Sequence, residues 1–195
     1  MRIEITRKSE LITTNWSGGS TTQLAIYPKE ASYGERNFLF RISTAKIEDQ
    51  VSEFTSLPGI SRVIMILEGE LKLNHKNQYS KKLKKFDCDH FQGNWETTGN
   101  GKVIDFNLMT SGNVSGTIEA SSLEKNSSLS FEPNKQVNGF YIYQGKVELT
   151  DFAEKKTILN QGDFALVFNE NKELHFTINI LEKTELIITK IDLKT

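Results

Sequence analysis

The chain is short of the residues that staple small folds and build metal centres. It has one cysteine, Cys88, in 195 residues, so no disulfide closes within it and a reducing, cytoplasmic setting is expected. A lone cysteine of this kind reads as a small apolar side chain rather than a nucleophile. Histidine is scarce: His75, His90 and His175 are all there is, and no two stand at the spacing of a ligand pair. A zinc or iron site of two or three histidines and a carboxylate is therefore not expected, nor is any other cofactor. The three prolines fall outside the apolar runs, as sheet interiors require. No run approaches the ~20 apolar residues of a membrane-spanning helix, and the segment from Met1 to Lys8 carries no apolar leader. Neither sign of charge dominates, with 24 basic against 25 acidic residues, so nucleic acid and anionic membranes are not expected as partners. There is no Gly-X-Ser-X-Gly elbow and no Walker loop, and no catalytic residue is assigned.

What the sequence does contain is strand signal. Hydrophobic residues make up 37% and charged residues 25%, ordinary values for a packed protein. The length suits two fused modules of about 100 residues each. Phe38, Phe40 and Ile42 alternate with Arg41 and Ser43. Arg62 to Leu67 is a continuous apolar run after one charge, the pattern of a strand buried on both faces. Glu68-Gly69-Glu70 breaks it and Leu71-Lys72-Leu73 resumes it, which reads as a hairpin. Ile104, Phe106 and Leu108 share one face of a further strand; Asp105, Asn107 and Met109 share the other. Phe140 to Tyr143, Val147 to Leu149, Phe164 to Phe168, His175 to Ile178 and Glu185 to Ile188 supply strands in the second half. The best helix candidate is short, Ile47 to Phe54. Lys81 to Lys85 reads as a solvated edge or loop.

The two halves resemble each other. Gly69 and Gly145 sit at matching hairpins, 76 positions apart, and the Ser-, Gly- and Asn-rich stretch from Thr110 to Ser130 reads as the seam between them. The expected division is an N-terminal module of residues 1–112 and a C-terminal module of residues 113–195, packed as one compact unit.

Four polar residues stand beside apolar runs: Arg41, Arg62, Asp105 and Asn107. A buried arginine is costly unless paired, so an Arg–Asp partnership is expected. Two arginines against one aspartate leave a guanidinium fork for a ligand carboxylate. Ser43, on the face of Arg41, adds a hydroxyl, and Trp16 adds an apolar wall with an indole N–H. The candidate ligand-binding set is therefore Trp16, Arg41, Ser43, Arg62, Asp105 and Asn107.

The hairpin of apolar run, X-Gly-X and apolar run resembles the centre of a cupin module. At the places where metal-binding cupins carry His-X-His and Glu, this chain has Ser56, Pro58 and Arg62; the second half has Glu132, Asn134 and Asn138. Larger blocks resemble the HutD/Ves family of the RmlC-like cupin superfamily. They are Asn15-Trp16-Ser17-Gly18-Gly19 with Thr21, Phe40-Arg41-Ile42-Ser43-Thr44-Ala45, Phe54 with Leu57-Pro58-Gly59-Ile60-Ser61-Arg62, Leu67-Glu68-Gly69, Phe91-Gln92-Gly93, and Asp105-Phe106-Asn107-Leu108-Met109. The segment after Trp16 departs from the family pattern: it is shorter and has Ser17 where a basic residue is usual. The resemblance implies an all-β bicupin, two tandem β-barrels of the double-stranded β-helix type with little helix. It also implies a link to histidine utilisation or stress responses, with a small carboxylate bound in the N-terminal barrel in a regulatory or metabolite-handling role. Two other readings stay open. One is a metal-independent isomerase, epimerase or lyase with Asp105 as base and Tyr27, Tyr33 or a histidine as acid. The other is a structural module that forms a homodimer through a sheet edge.

Overall fold

A computed structural model describes residues 2–131, 135–151, 153–169 and 175–193. Glu132 and Asn134, two of the residues at cupin ligand places, lie outside the described residues. Those described form nineteen strands and one 3-10 turn, Lys8–Glu10. The strands are β1 (Arg2–Thr6), β2 (Ile12–Trp16), β3 (Gly19–Tyr27), β4 (Phe40–Ile47), β5 (Val51–Glu53), β6 (Ile60–Gly69), β7 (Leu71–His75), β8 (Tyr79–Leu83), β9 (Cys88–Gln92) and β10 (Thr97–Asn100). They continue with β11 (Val103–Ser111), β12 (Ser115–Leu123), β13 (Ser128–Phe131), β14 (Val137–Gln144), β15 (Lys146–Thr150), β16 (Lys156–Asn160), β17 (Phe164–Phe168), β18 (Phe176–Ile180) and β19 (Thr184–Asp192). The chain is all-β, as its alternating patterns predict.

The repeat is complete at the level of topology. One unit, Ile12–Ile118, contains a six-stranded sheet ordered β2-β3-β4-β11-β6-β9 and a four-stranded sheet ordered β5-β10-β7-β8. The other joins the segment ending at Leu11 to Glu119–Leu193, with sheets ordered β1-β17-β14-β19-β12 and β13-β18-β15-β16. Adding eight to each label from β4 to β11 reproduces β12 to β19 in the same neighbour order. Each unit then gains a flank: β2 and β3 extend the first beyond β4, and β1 extends the second beyond β17.

Three sequence expectations change here. The division falls between Ile118 and Glu119, inside β12, not at residue 112. The small polar residues of the presumed seam are spent on strand β12 and the start of β13, because a sheet edge accepts serine and threonine as readily as a loop does. Residues up to Leu11 belong with the C-terminal unit, since β1 pairs antiparallel with β17, Ile3 opposite Val167. The helix expected over Ile47 to Phe54 is the end of β4, a bend and the short strand β5 paired with β10. The spacing of Ile47, Val51 and Phe54 mimics a helical stripe only because a bend separates the two strands.

Gly69 and Gly145 close equivalent hairpins with φ of +83° and +89°. A Cβ at either would lie 2.5 Å from the Lys102 carbonyl oxygen or 2.3 Å from that of Lys183. Both the left-handed backbone and the close approach demand glycine. The C-terminal unit is filled by Phe140, Ile142, Phe176, Leu186 and Ile188 with their neighbours, the Phe131, Phe140 and Phe176 rings lying 5.0–5.2 Å apart. In the N-terminal unit Ile64, Ile66, Leu71, Leu73, Leu83 and Phe91 form a core that occupies only part of the inner face.

Candidate functional site

Sheet register explains the site. Strand β11 lies between β4 and β6, and lateral rows of residues cross all three. One row places Arg41 and Arg62 on either side of Met109. The next runs Gln23, Ser43, Asn107, Ile64. The third runs Thr14, Thr21, Ala45, Asp105, Ile66. Strand side chains alternate between faces, so Arg41, Ser43, Ala45, Asp105, Asn107 and Met109 all point to the same side. That side is the wall of a cavity of about 580 Å³ within the N-terminal unit. Phe54 and Glu53 on β5 and its following loop, Tyr33 on the loop between β3 and β4, and Ile12 on β2 complete the lining.

All six residues singled out from the sequence line this one cavity. Arg62 and Asp105 are only 7% and 2% exposed. The expected ion pair between them does not form: among the described residues, no salt bridge joins either Arg41 or Arg62 to a carboxylate. The partners lie elsewhere. The Asn107 side-chain amide donates to Asp105 Oδ1, and the backbone N–H of Ala45 donates to the same carboxyl group. Arg41 donates from Nε to Gln23 Oε1 at 2.9 Å and from Nη1 to Ser43 Oγ at 3.3 Å, with its guanidinium 4.5 Å from the Tyr33 ring centre. Arg62 lies between two rings, 5.0 Å from Phe54 and 5.1 Å from Phe91, and its Nε has no hydrogen-bond partner. Aromatic faces stabilise a guanidinium without consuming its donors.

Burial sets the protonation states. It pushes the Asp105 carboxyl up to about 7, against the pull of Arg62 and the hydrogen bonds from Asn107 and Ala45. It brings Arg62 down to about 10, opposed by Tyr33 and Asp105, and it lowers Arg41 as well. Near neutral pH the cavity therefore presents two guanidinium groups and a carboxyl that exchanges its proton readily.

Trp16 departs in detail from expectation. Its indole N–H donates to Thr21 Oγ1 at 3.1 Å and is not available to the cavity, so the ring contributes only a wall. Gln23, Tyr33 and Glu53 are lining residues that the pattern of apolar runs does not reveal. Tyr27, weighed as an acid, stacks on Phe40 and is not part of the lining. His75 is used internally, with Nδ1 2.8 Å from Thr97 Oγ1 and Nε2 2.9 Å from Asp89 Oδ2. Cys88 is half-buried, and burial pushes its thiol up to about 11, which leaves it little thiolate at neutral pH. The residues at cupin ligand places do not fit a cation: Arg62 brings a positive charge to the glutamate position, with Arg41 in the same row. Among the described residues, no three histidine, cysteine, aspartate or glutamate side chains gather as a ligand set.

The sequence matches the HutD family over residues 8–188. The chain belongs to that family. A conserved protein of unknown function from Pseudomonas aeruginosa PAO1 has a similar structure, with a TM-score of 0.85, 20% identity, and coverage of 98% of this chain and 100% of that one. HutD from Pseudomonas fluorescens, solved in a formate condition, matches with a TM-score of 0.72, 20% identity and 98% of each chain. An oxalate decarboxylase from Bacillus subtilis matches with a TM-score of 0.71 at 8% identity, over 96% of this chain and 76% of that one. At these identities the structures establish the fold alone, and this HutD-family chain has a cupin-like fold. No helix among its described residues is long and apolar enough to cross a membrane.

Proposed function

We propose that this HutD-family protein binds a small carboxylate in its N-terminal unit, a metabolite of histidine breakdown, and acts in regulating or handling it in the cytoplasm. One observation carries the reading. Among the described residues, Arg62 is a buried guanidinium with no carboxylate in contact and an unsatisfied Nε, on the wall of a cavity of about 580 Å³. Buried charge without a counterion is costly, and a ligand carboxylate met by Arg62 and Arg41 repays that cost. The walls of Phe54, Tyr33, Trp16 and Ile12 suit an apolar or conjugated body on that ligand. The formate condition in which the Pseudomonas fluorescens HutD was solved motivates formate as the smallest probe.

The test is a thermal-shift series with formate, glutamate, formylglutamate and urocanate. A ligand at a hundred times its Kd stabilises by about 2.7 kcal/mol, which is a rise of roughly 5–10 °C for a chain this size. Arg62→Ala abolishes the rise. If no carboxylate moves the midpoint, the reading fails.

A second reading has its own support. A carboxyl held at about 7 suits general acid–base chemistry, and Tyr33 lines the same cavity. A metal-independent isomerase or lyase on a small polar substrate is the alternative, and turnover of any ligand found in the series moves it ahead.

A further inference from the structure

The cavity wall carries two guanidinium groups and two carboxyl groups, Asp105 and Glu53, and carboxylate binding by the arginines alone gives the buried one, Asp105, no part. Asp105 lies in the row beside Asn107 and one row further from the arginines. Its carboxyl is buried, lines the cavity, accepts from Asn107 and from Ala45 N–H, and has no cation in contact among the described residues. The charged and titratable groups that face it are few. Arg62 comes from β6, Arg41 from β4, Tyr33 from the loop before β4 and Glu53 from β5. Strands β2 and β3 bring only neutral groups to the lining.

A carboxylate seated on Arg62 enters this same small space. Two carboxylates brought together out of bulk water do not both remain charged; they share one proton, and the pair then gains a hydrogen bond in place of a repulsion. We propose that Asp105 is the specificity-determining acid of this site: it enters the complex protonated and donates its O–H to the bound carboxylate, so that binding takes up one proton from solvent. This rests on the carboxylate-binding reading above. The balance is simple: free protein with ionised Asp105, a carboxylate anion and one proton from the buffer give the complex, with no covalent bond made or broken. Burial has already pushed the Asp105 carboxyl up to about 7, and the incoming anion pushes it further.

The sign of the pH dependence follows. Below about pH 7 free Asp105 already carries the proton, and affinity is flat with pH. Above it the proton must be taken up, and the Kd rises towards tenfold per pH unit until the raised value in the complex is passed. Asp105 thereby favours carboxylates, which accept a hydrogen bond at modest charge, as the pH falls from alkaline to neutral.

The measurement is titration calorimetry of the full chain with sodium formate and sodium benzoate. It is run from pH 6 to 9, and at pH 8 in two buffers of different ionisation enthalpy. Uptake of close to one proton at pH 8 and a five- to tenfold loss of affinity per unit above pH 7.5 support the inference. Asp105→Asn keeps a neutral donor but cannot titrate, and is expected to bind more weakly at pH 6 than the unaltered protein, with a Kd that no longer changes with pH and with no proton uptake. Binding with no proton uptake overturns the inference and leaves the arginine site standing. Uptake that persists in Asp105→Asn assigns the proton to another group and also overturns it. Absence of binding by either anion at every pH overturns the carboxylate reading itself, and this inference with it.

Discussion

Asp105 is also a liability to the empty protein. Its folded value of about 7 stands well above the 3.8 of an ordinary aspartate, so the folded state holds the proton more tightly than the unfolded chain does. The stability this gives is fully present below about pH 4. It is lost as the pH rises to about 7, leaving a deficit of roughly 4 kcal/mol above that. Asp105→Asn is expected to raise the unfolding free energy from urea denaturation at pH 8 by an amount of that order and to change it little at pH 4. An equal effect at both pH values would contradict burial as the cause. The same residue was legible in the sequence because a lone charge beside an apolar run has few comfortable places to go. Arg41, Arg62, Ser43 and Asn107 were legible for the same reason, aided by their place in the family's blocks. Gln23 was not, because it sits in a threonine-rich polar stretch that hides strand β3. Tyr33 is not singled out by the pattern, since a loop has no periodicity to say where it points. The sequence pattern points to a partnership of Arg62 with Asp105, whereas the aromatic rings of Phe54 and Phe91, from other positions in the chain, offset the burial of the charge.

Among the elements, the buried strands were the easiest to read. Val63 to Leu67 is buried on both faces, as its unbroken apolar run predicts. The edge and flanking strands were the hardest. Strand β2 is exposed along its whole length, so the alternation that marks a half-buried strand is absent. Lys81 and Lys82, read as a solvated cluster, lie on β8 at a sheet edge, and their ammonium groups pair with Asp89 and Glu70. The two hairpins are held by backbone geometry that no other residue supplies. Gly69→Ala and Gly145→Ala are each expected to cost more than about 1 kcal/mol, since each combines a left-handed φ with a carbonyl oxygen in the way of Cβ. Urea denaturation of the two variants checks this; an unchanged midpoint in either would show that the hairpin shifts to make room.

Across the whole molecule, the internal repeat separates what the fold requires from what the site requires. With the hairpin glycines aligned, Arg62 corresponds to Asn138, and Asp105 and Asn107 correspond to Leu186 and Ile188. The positions of Asp105 and Asn107 thus carry apolar filling in the other unit, while the position of Arg62 carries the buried, uncharged amide Asn138. The faint sequence repeat hints at the shared frame; it does not disclose the exchange of polar for apolar residues, which appears only once the register is known. The flanks break the repeat. Ile3 and Ile5 of β1 pack on the C-terminal core, and Arg7 and the Lys8 N–H both bind the Asp163 carboxylate. A chain starting at Ile12 is expected to lose amide protection from hydrogen exchange over Phe164–Phe168, with Ile60–Gly69 protected as before. Equal loss in both segments would mean that the two units share one unfolding event.

The pairing of β1 with β17 also bears on the order in which the molecule is made. Every strand of the unit Ile12–Ile118 lies within those residues, so that unit has all its parts once they leave the ribosome. Strand β1 emerges before all of them and finds its partner only when Phe164–Phe168 follows. While the residues between them are made, then, β1 waits on β17, and every strand that lines the cavity is made before those two can pair.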